Sequence, residues 1–231
     1  MTIVKAVRLA LTEIADPSRA PAMRAYMKSE MPFLGVTAVP RRAALRQVFA
    51  EHPMESAPEW REAVLDLWRE AEFREERYAA IELSGHRPYR SWQTLDTLPM
   101  YEEMVVTGAW WDLVDEIAVH RVGTLLRLYP DTMRSLMLKW ARDPDLWRRR
   151  TAILCQNAFK ERTDVRLLYA CIEPSLSDID FFARKAIGWA LREYAKTDPG
   201  EVVRYVNHQR ITGLSRREAL RNVPTPPQPP A

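Results

Sequence analysis

The chain has 231 residues, of which 47% are apolar and 28% charged, enough to bury a substantial core and too apolar for a disordered polymer. No run of about 18 apolar residues occurs, which argues against a membrane-spanning helix, and a net charge of +3 carries meaning only once the charges are placed on faces. Two cysteines without C-x-x-C spacing and four scattered histidines argue against a disulfide framework, a metal centre or a cofactor bound through them.

In chain order, "MTIVKAVRLALTEIAD" brings acids soon after its apolar positions and lacks a small-residue cleavage pattern, so it is expected to be the first helix and no signal peptide. Apolar residues recur at three- and four-residue spacing almost throughout, with no alternating run long enough for a sheet, and the expected fold class is all-α. Breaks are expected at "DPSRAP", "MPFLGVTAVP", "SGHRPYRS", "YPD", "ARDPD" and "KTDPGE", each resting on proline or glycine. Pro40 suits a first helical turn. "SAPE" (Ser56 to Glu59) and "SRRE" (Ser215 to Glu218) both fit the capping box that starts a helix. The stretch "REAEFREERYAAIEL", 69–83, carries both charge signs at i, i+4 spacing and reads as an exposed helix. Trp60, Trp68, Trp92 and Trp140 fit apolar patterns and are expected in the core. So are the thiols of Cys155 and Cys171, as free cysteines of a cytoplasmic protein. Ala80-Ile81 and Ala152-Ile153 each follow a tryptophan (Trp68, Trp140) by 12 residues, and Ala186-Ile187 comes 34 after Ala152. Such recurrence is the mark of an α-solenoid, whose curved inner surface suits a long ligand. Residues 1–222 are read as a single repeat domain and the proline-rich 223–231 as a disordered tail.

Three helices carry side chains where packing does not ask for them. In "GAWWDLVDEIAV", 108–119, Trp110, Leu113, Val114 and Ile117 form one apolar stripe. Trp111 and Asp115 form an i, i+4 pair about 120° away from it. Trp110 is therefore expected in the core and Trp111 outside it, while Asp112 is a first-turn acid favoured by the helix dipole. In "DFFARKAIGWALREYAKT", 180–197, the stripe Ile187, Ala190, Leu191 and Tyr194 faces the core. Lys185, Trp189, Arg192 and Lys196 lie opposite: either a solvated basic face covering an exposed ring or a surface for phosphates with a ring for a base. In "DLWRRRTAIL", 145–154, Trp147, Thr151 and Leu154 are expected to be buried, with three arginines projecting beside and away from them. Arginine suits bidentate phosphate contact, although a basic run is most often a solvated face.

From about Met23 to Asn222 the chain resembles the DNA alkylation-repair glycosylases of the AlkD type, built from HEAT-like helical repeats. The resemblance rests on "AYMKSEMPFLGV", "WWDLVDEI", "LWRRRTAIL", "KAIGWALREYAKTDP" and "LSRREALRNV", in matching order. It implies an α-solenoid of antiparallel helix pairs with a concave basic face. It implies that Asp115 is the catalytic aspartate, that Trp111 and Trp189 are the rings contacting the lesion, and that Arg150 binds a backbone phosphate. Tyr26 would line the same cleft, and Lys160, Lys185 and Arg192 would serve DNA binding. Ala158 stands where relatives can carry a lysine, with Lys160 retained nearby, so the details of DNA grip differ.

The implied activity is hydrolysis of the N-glycosidic bond of cationic N3- or N7-alkylated purines in double-stranded DNA. The implied enzyme is monofunctional, uses water and no cofactor, and meets the lesion without a deep base pocket. Competing readings are a non-catalytic HEAT-like module binding damaged or branched DNA, and a protein-interaction solenoid. The expected setting is a cytoplasmic monomer acting at the nucleoid, with no membrane and no metal partner.

Overall fold

The computed structural model describes residues 1–223; apart from Val223, the proline-rich tail lies outside them. Every regular element among the described residues is helical, as the periodicity predicts. Among the described residues no helix is long and apolar enough to cross a membrane. Two compact units divide the chain, Met1–Met100 and the part that begins at Tyr101.

The first unit contains α1 (Ile3–Glu13), α2 (Ala20–Met27), α3 (Ala38–Glu51), α4 (Ala57–Arg69) and α5 (Arg74–Ser84), followed by short 3₁₀ turns. The chain breaks fall where proline and glycine place them, and Pro40 lies in the first turn of α3. Ser56 caps α4 as expected, its hydroxyl accepting from the Glu59 amide at 3.3 Å; the reciprocal half differs, since the Glu59 carboxylate accepts from the amide of Glu55, one residue before the cap, at 2.7 Å. Trp60 and Trp68 are buried. Trp92, expected in the core, instead ends a 3₁₀ turn half-buried, stacked on Tyr89 with ring centroids 4.8 Å apart.

The segment 69–83 departs most from its expectation. α5 is not an exposed helix: Arg74, Glu75 and Glu76 of its first turn are buried. The Glu75 carboxylate accepts from the backbone amides of Leu34, Gly35 and Val36 at 3.0, 2.9 and 3.0 Å. Glu76 accepts from the Arg8 guanidinium at 2.6 Å. Alternating charge therefore marks internal ties in this helix, since partners from distant loops satisfy groups that would be costly to bury alone. Gly35 sits at φ 84°, and a Cβ there would lie 2.0 Å from the Asp16 carbonyl oxygen, so the loop that Glu75 clamps admits no larger residue.

The division falls within α6 (Leu98–Gly108), and the second unit continues with α7 (Trp111–Glu116), a π-helical turn (Ile117–Val122), α8 (Gly123–Leu128), α9 (Pro130–Trp140), α10 (Leu146–Leu154), α11 (Val165–Ile172), α12 (Phe181–Tyr194), α13 (Pro199–His208) and α14 (Gly213–Ala219). Asp145 and Asp180 cap α10 and α12, each carboxylate accepting two backbone amides. α10 packs on α12, and α12 on α14, around a core that includes Leu168, Ile172, Ile187, Leu191, Val202 and Val206. Cys155 and Cys171 are buried free thiols, and burial pushes the Cys171 thiol up to about 12. Ser215 does not start α14. The helix begins at Gly213 after Thr212, and the Ser215 hydroxyl donates to the Arg184 carbonyl oxygen at 3.1 Å. Its partner in the expected capping box, Glu218, is engaged elsewhere.

Replacing Glu75 with alanine strands three buried amides. We expect a loss of about 3 kcal/mol or more in unfolding free energy, read from urea denaturation monitored by circular dichroism.

Candidate active site

Helix α7 begins one residue later than the apolar pattern suggests. Trp110 is its N-cap, in extended backbone at φ −154° and ψ 144°, so it is not part of the helical stripe and is half-buried. Its ring packs edge-on against Phe182 (centroids 5.1 Å) and tilted against Trp147 (6.3 Å), and Trp147 and Phe182 are 5.2 Å apart. The Trp110 indole nitrogen is buried with no hydrogen-bond partner. Leu113, Val114 and Ile117 are buried as expected. Trp111 and Asp115 remain one turn apart on α7, both partly exposed.

Asp115 reaches directly to Arg150 of α10. The guanidinium grips the carboxylate with two parallel bonds, Nε to Oδ1 and Nη2 to Oδ2, both 2.7 Å, and its remaining nitrogen Nη1 donates to the Phe182 carbonyl oxygen at 2.7 Å. The side chains are 15% and 5% exposed. Burial raises the Asp115 carboxyl above the usual aspartate range, partly offset by the hydrogen bond and charge of Arg150. The pair spans three helices, because Phe182 is the second residue of α12.

The triple arginine is thus not a solvated face. Arg148 pairs with Glu102 at 2.9 Å and Asp143 at 3.3 Å, and Arg149 with Asp178 at 3.0 Å. Each of the three projects in its own direction, as expected, and each meets an acid.

Of the expected core stripe of α12, Ile187, Ala190 and Leu191 are buried and Tyr194 is partly buried against the core. Trp189 is half-buried against that core, and its indole N–H donates to Glu193 at 3.3 Å. Lys185 and Arg192 are not free cations: they donate to the two carboxylate oxygens of Glu218 at 2.9 and 2.7 Å. Lys160 is exposed, at φ 53° in the turn after α10. It lines a cavity of about 170 Å³ together with Glu193. Ala158 packs against the core cluster. Tyr26 lies in the first unit on α2 and is 78% exposed. The second unit therefore joins Asp115 to Arg150, and Lys185 to Arg192 through Glu218. The aromatic cluster of Trp110, Trp147 and Phe182, which abuts this site, was not singled out from sequence; in "DFF" at the start of α12 the aspartate marks a helix cap, and nothing marks Phe182.

The model of the DNA alkylation repair enzyme family matches residues 7–223. The chain belongs to that family. It is also similar to a solved structure described as a predicted DNA alkylation repair enzyme from Enterococcus faecalis. That likeness has 30% identity and a TM-score of 0.79, over 90% of this chain and 96% of that one. No curated protein matches the chain. The all-helical fold expected from sequence is thus the fold of this repair family.

Directly after Asp115 and Glu116 comes the π-helical turn Ile117–Val122, a geometry often found beside functional residues. It ends at Gly123, where a Cβ would meet the Cys155 carbonyl oxygen at 2.5 Å. We expect Gly123→Ala to force these segments apart and lower stability by about 1–3 kcal/mol, seen as a reduced melting temperature.

Proposed function

We propose that this repair enzyme is a monofunctional DNA glycosylase that hydrolyses the N-glycosidic bond of cationic N3- or N7-alkylated purines in duplex DNA. The observation that carries the reading is the Asp115 carboxylate, held by two bonds from Arg150 and set one turn from Trp111, in a chain of the alkylation-repair family.

The chemistry suits these groups. A purine alkylated at N3 or N7 is positively charged and leaves as a neutral base, taking the electron pair of the C1′–N bond with it, so no acid is required to protonate it. Electron-rich faces of Trp111 and Trp189 attract such a cation by about 0.5–2 kcal/mol per contact. Positive charge then develops on the sugar, as in other glycoside hydrolyses. Asp115 stabilises that charge, orients the attacking water and accepts its proton as the new C1′–O bond forms. No amine nucleophile takes part, so borohydride traps no enzyme–DNA adduct.

Arg150 orients Asp115 and balances its charge in this reading, since each of its three nitrogens donates one bond within the protein. Of its five N–H groups these bonds use three, so Nη1 and Nη2 each keep one N–H that a backbone phosphate could accept from without breaking the pair. Its pairing also favours the ionised carboxylate, the form that can assist a developing cation.

Methylated duplex DNA incubated with the native chain should release 7-methylguanine or 3-methyladenine, measured by chromatography. Asp115→Asn should lower that rate about 100-fold or more. Binding without release would overturn the enzymatic reading in favour of a DNA-binding module, and an equally active Asn variant would remove Asp115 from the mechanism. A second outcome follows from the titration of this carboxylate. Burial places its pKa above the usual aspartate range, so single-turnover rates should fall on the acid side at a higher pH than for an ordinary aspartate. Arg150→Ala removes the two influences that lower that pKa, and any residual activity should lose its acid limb at a still higher pH.

A further inference from the structure

The basic face of α12 contains an occupied notch. Lys185 and Arg192 stand seven residues apart, two helical turns, and Glu218 of α14 fills the space between them with one oxygen on each cation. The fold makes room for this carboxylate. Gly188 lies between the two cations, and a Cβ there would come within 2.4 Å of the Glu218 Cβ, so the Glu218 stem rests on the bare backbone. The Glu218 side chain is 13% exposed. Trp189 is the next residue after Gly188.

Two cations held at a fixed spacing by one bridging anion form the geometry that an oxyanion of a nucleic-acid backbone would use. We infer that Glu218 is an internal counter-ion seated in a phosphate site between Lys185 and Arg192, and that by filling it the chain limits its hold on undamaged DNA. This rests on the reading that duplex DNA is the substrate. Its physical content is a balance. Both cations stay ordered beside Trp189, but the charge offered to a passing phosphate is reduced by the carboxylate already there. Weak binding to undamaged duplex lets an enzyme leave sites that carry no lesion, while the cationic base supplies an attraction that intact DNA lacks. Glu218 is a specificity-determining residue in this scheme and touches no reacting atom.

The test measures binding to an undamaged duplex by fluorescence anisotropy across a salt series. It compares the native chain with Glu218→Gln and with Glu13→Gln, which removes an equal charge from an exposed position on α1. Glu218→Gln should bind more tightly, with a salt slope steeper by about 0.9 for one added phosphate, roughly a further 3.5-fold loss of affinity over a fourfold rise in salt. Adding Lys185→Gln to that variant should return the slope to the native value, and Glu13→Gln should leave it unchanged. Equal or weaker binding by Glu218→Gln, or the same gain from Glu13→Gln, overturns the inference. Should Glu218→Gln melt at a lower temperature, Glu218→Met, which keeps an unbranched stem over Gly188, is read by the same criteria. Base release from methylated DNA by the native chain is followed in parallel. Release with an unchanged Glu218→Gln slope rejects the counter-ion role alone, whereas an altered slope without release rejects the glycosylase reading alone.

Discussion

The bidentate pair of Asp115 and Arg150 is the constraint around which the second unit is arranged. Three helices meet at it: α7 supplies the carboxylate, α10 the guanidinium, and α12 a carbonyl oxygen from its first turn. An arginine this buried needs every nitrogen satisfied, and the carboxylate needs a counter-charge. Each therefore limits where the others can sit. The aromatic rings of Trp110, Trp147 and Phe182 pack around the same junction, and the π-helical turn leaves α7 directly beyond it. The side chain proposed for the chemistry is thus held between helices and not on a loop.

Charge pairing is the recurrent device of the molecule. In the first unit Glu75 ties a loop by three amides and Glu76 takes the Arg8 guanidinium. In the second, Arg148, Arg149, Arg150, Lys185 and Arg192 all find carboxylates. These are partly buried contacts made between elements, unlike the i, i+4 pairs of an exposed helix, and each fixes one helix or loop against another.

Local chemistry was readable in the sequence. The Ser56 cap, the helix breaks at proline and the buried Ile187, Ala190 and Leu191 of α12 all depend on neighbours within about four residues, and all stand as expected. What was not readable depended on distant partners. Nothing near Glu75 announces that the amides of 34–36 will come to it. Nothing in "SRRE" says that its glutamate will bridge two cations of another helix in place of closing a cap. Trp110 failed for a geometric reason, since a residue before the first turn obeys no helical phase. At the site, phase alone paired Trp111 with Asp115, and the family resemblance supplied Arg150. The direct bond between Asp115 and Arg150 emerged only from the folded chain.

The π-helical turn separates two registers. Its backbone bonds reach one residue further than those of an α-helix, so it behaves as a single-residue insertion accommodated without a loop. Residues up to Glu116 keep the angular phase that directs Asp115 to Arg150, and Gly123 onward keeps a separate phase that lets its backbone approach Cys155. The two faces can thus be selected independently. Loss of one residue here would leave the spacing of Trp111 and Asp115 intact and shift instead the face on which Gly123 and the helix it opens lie.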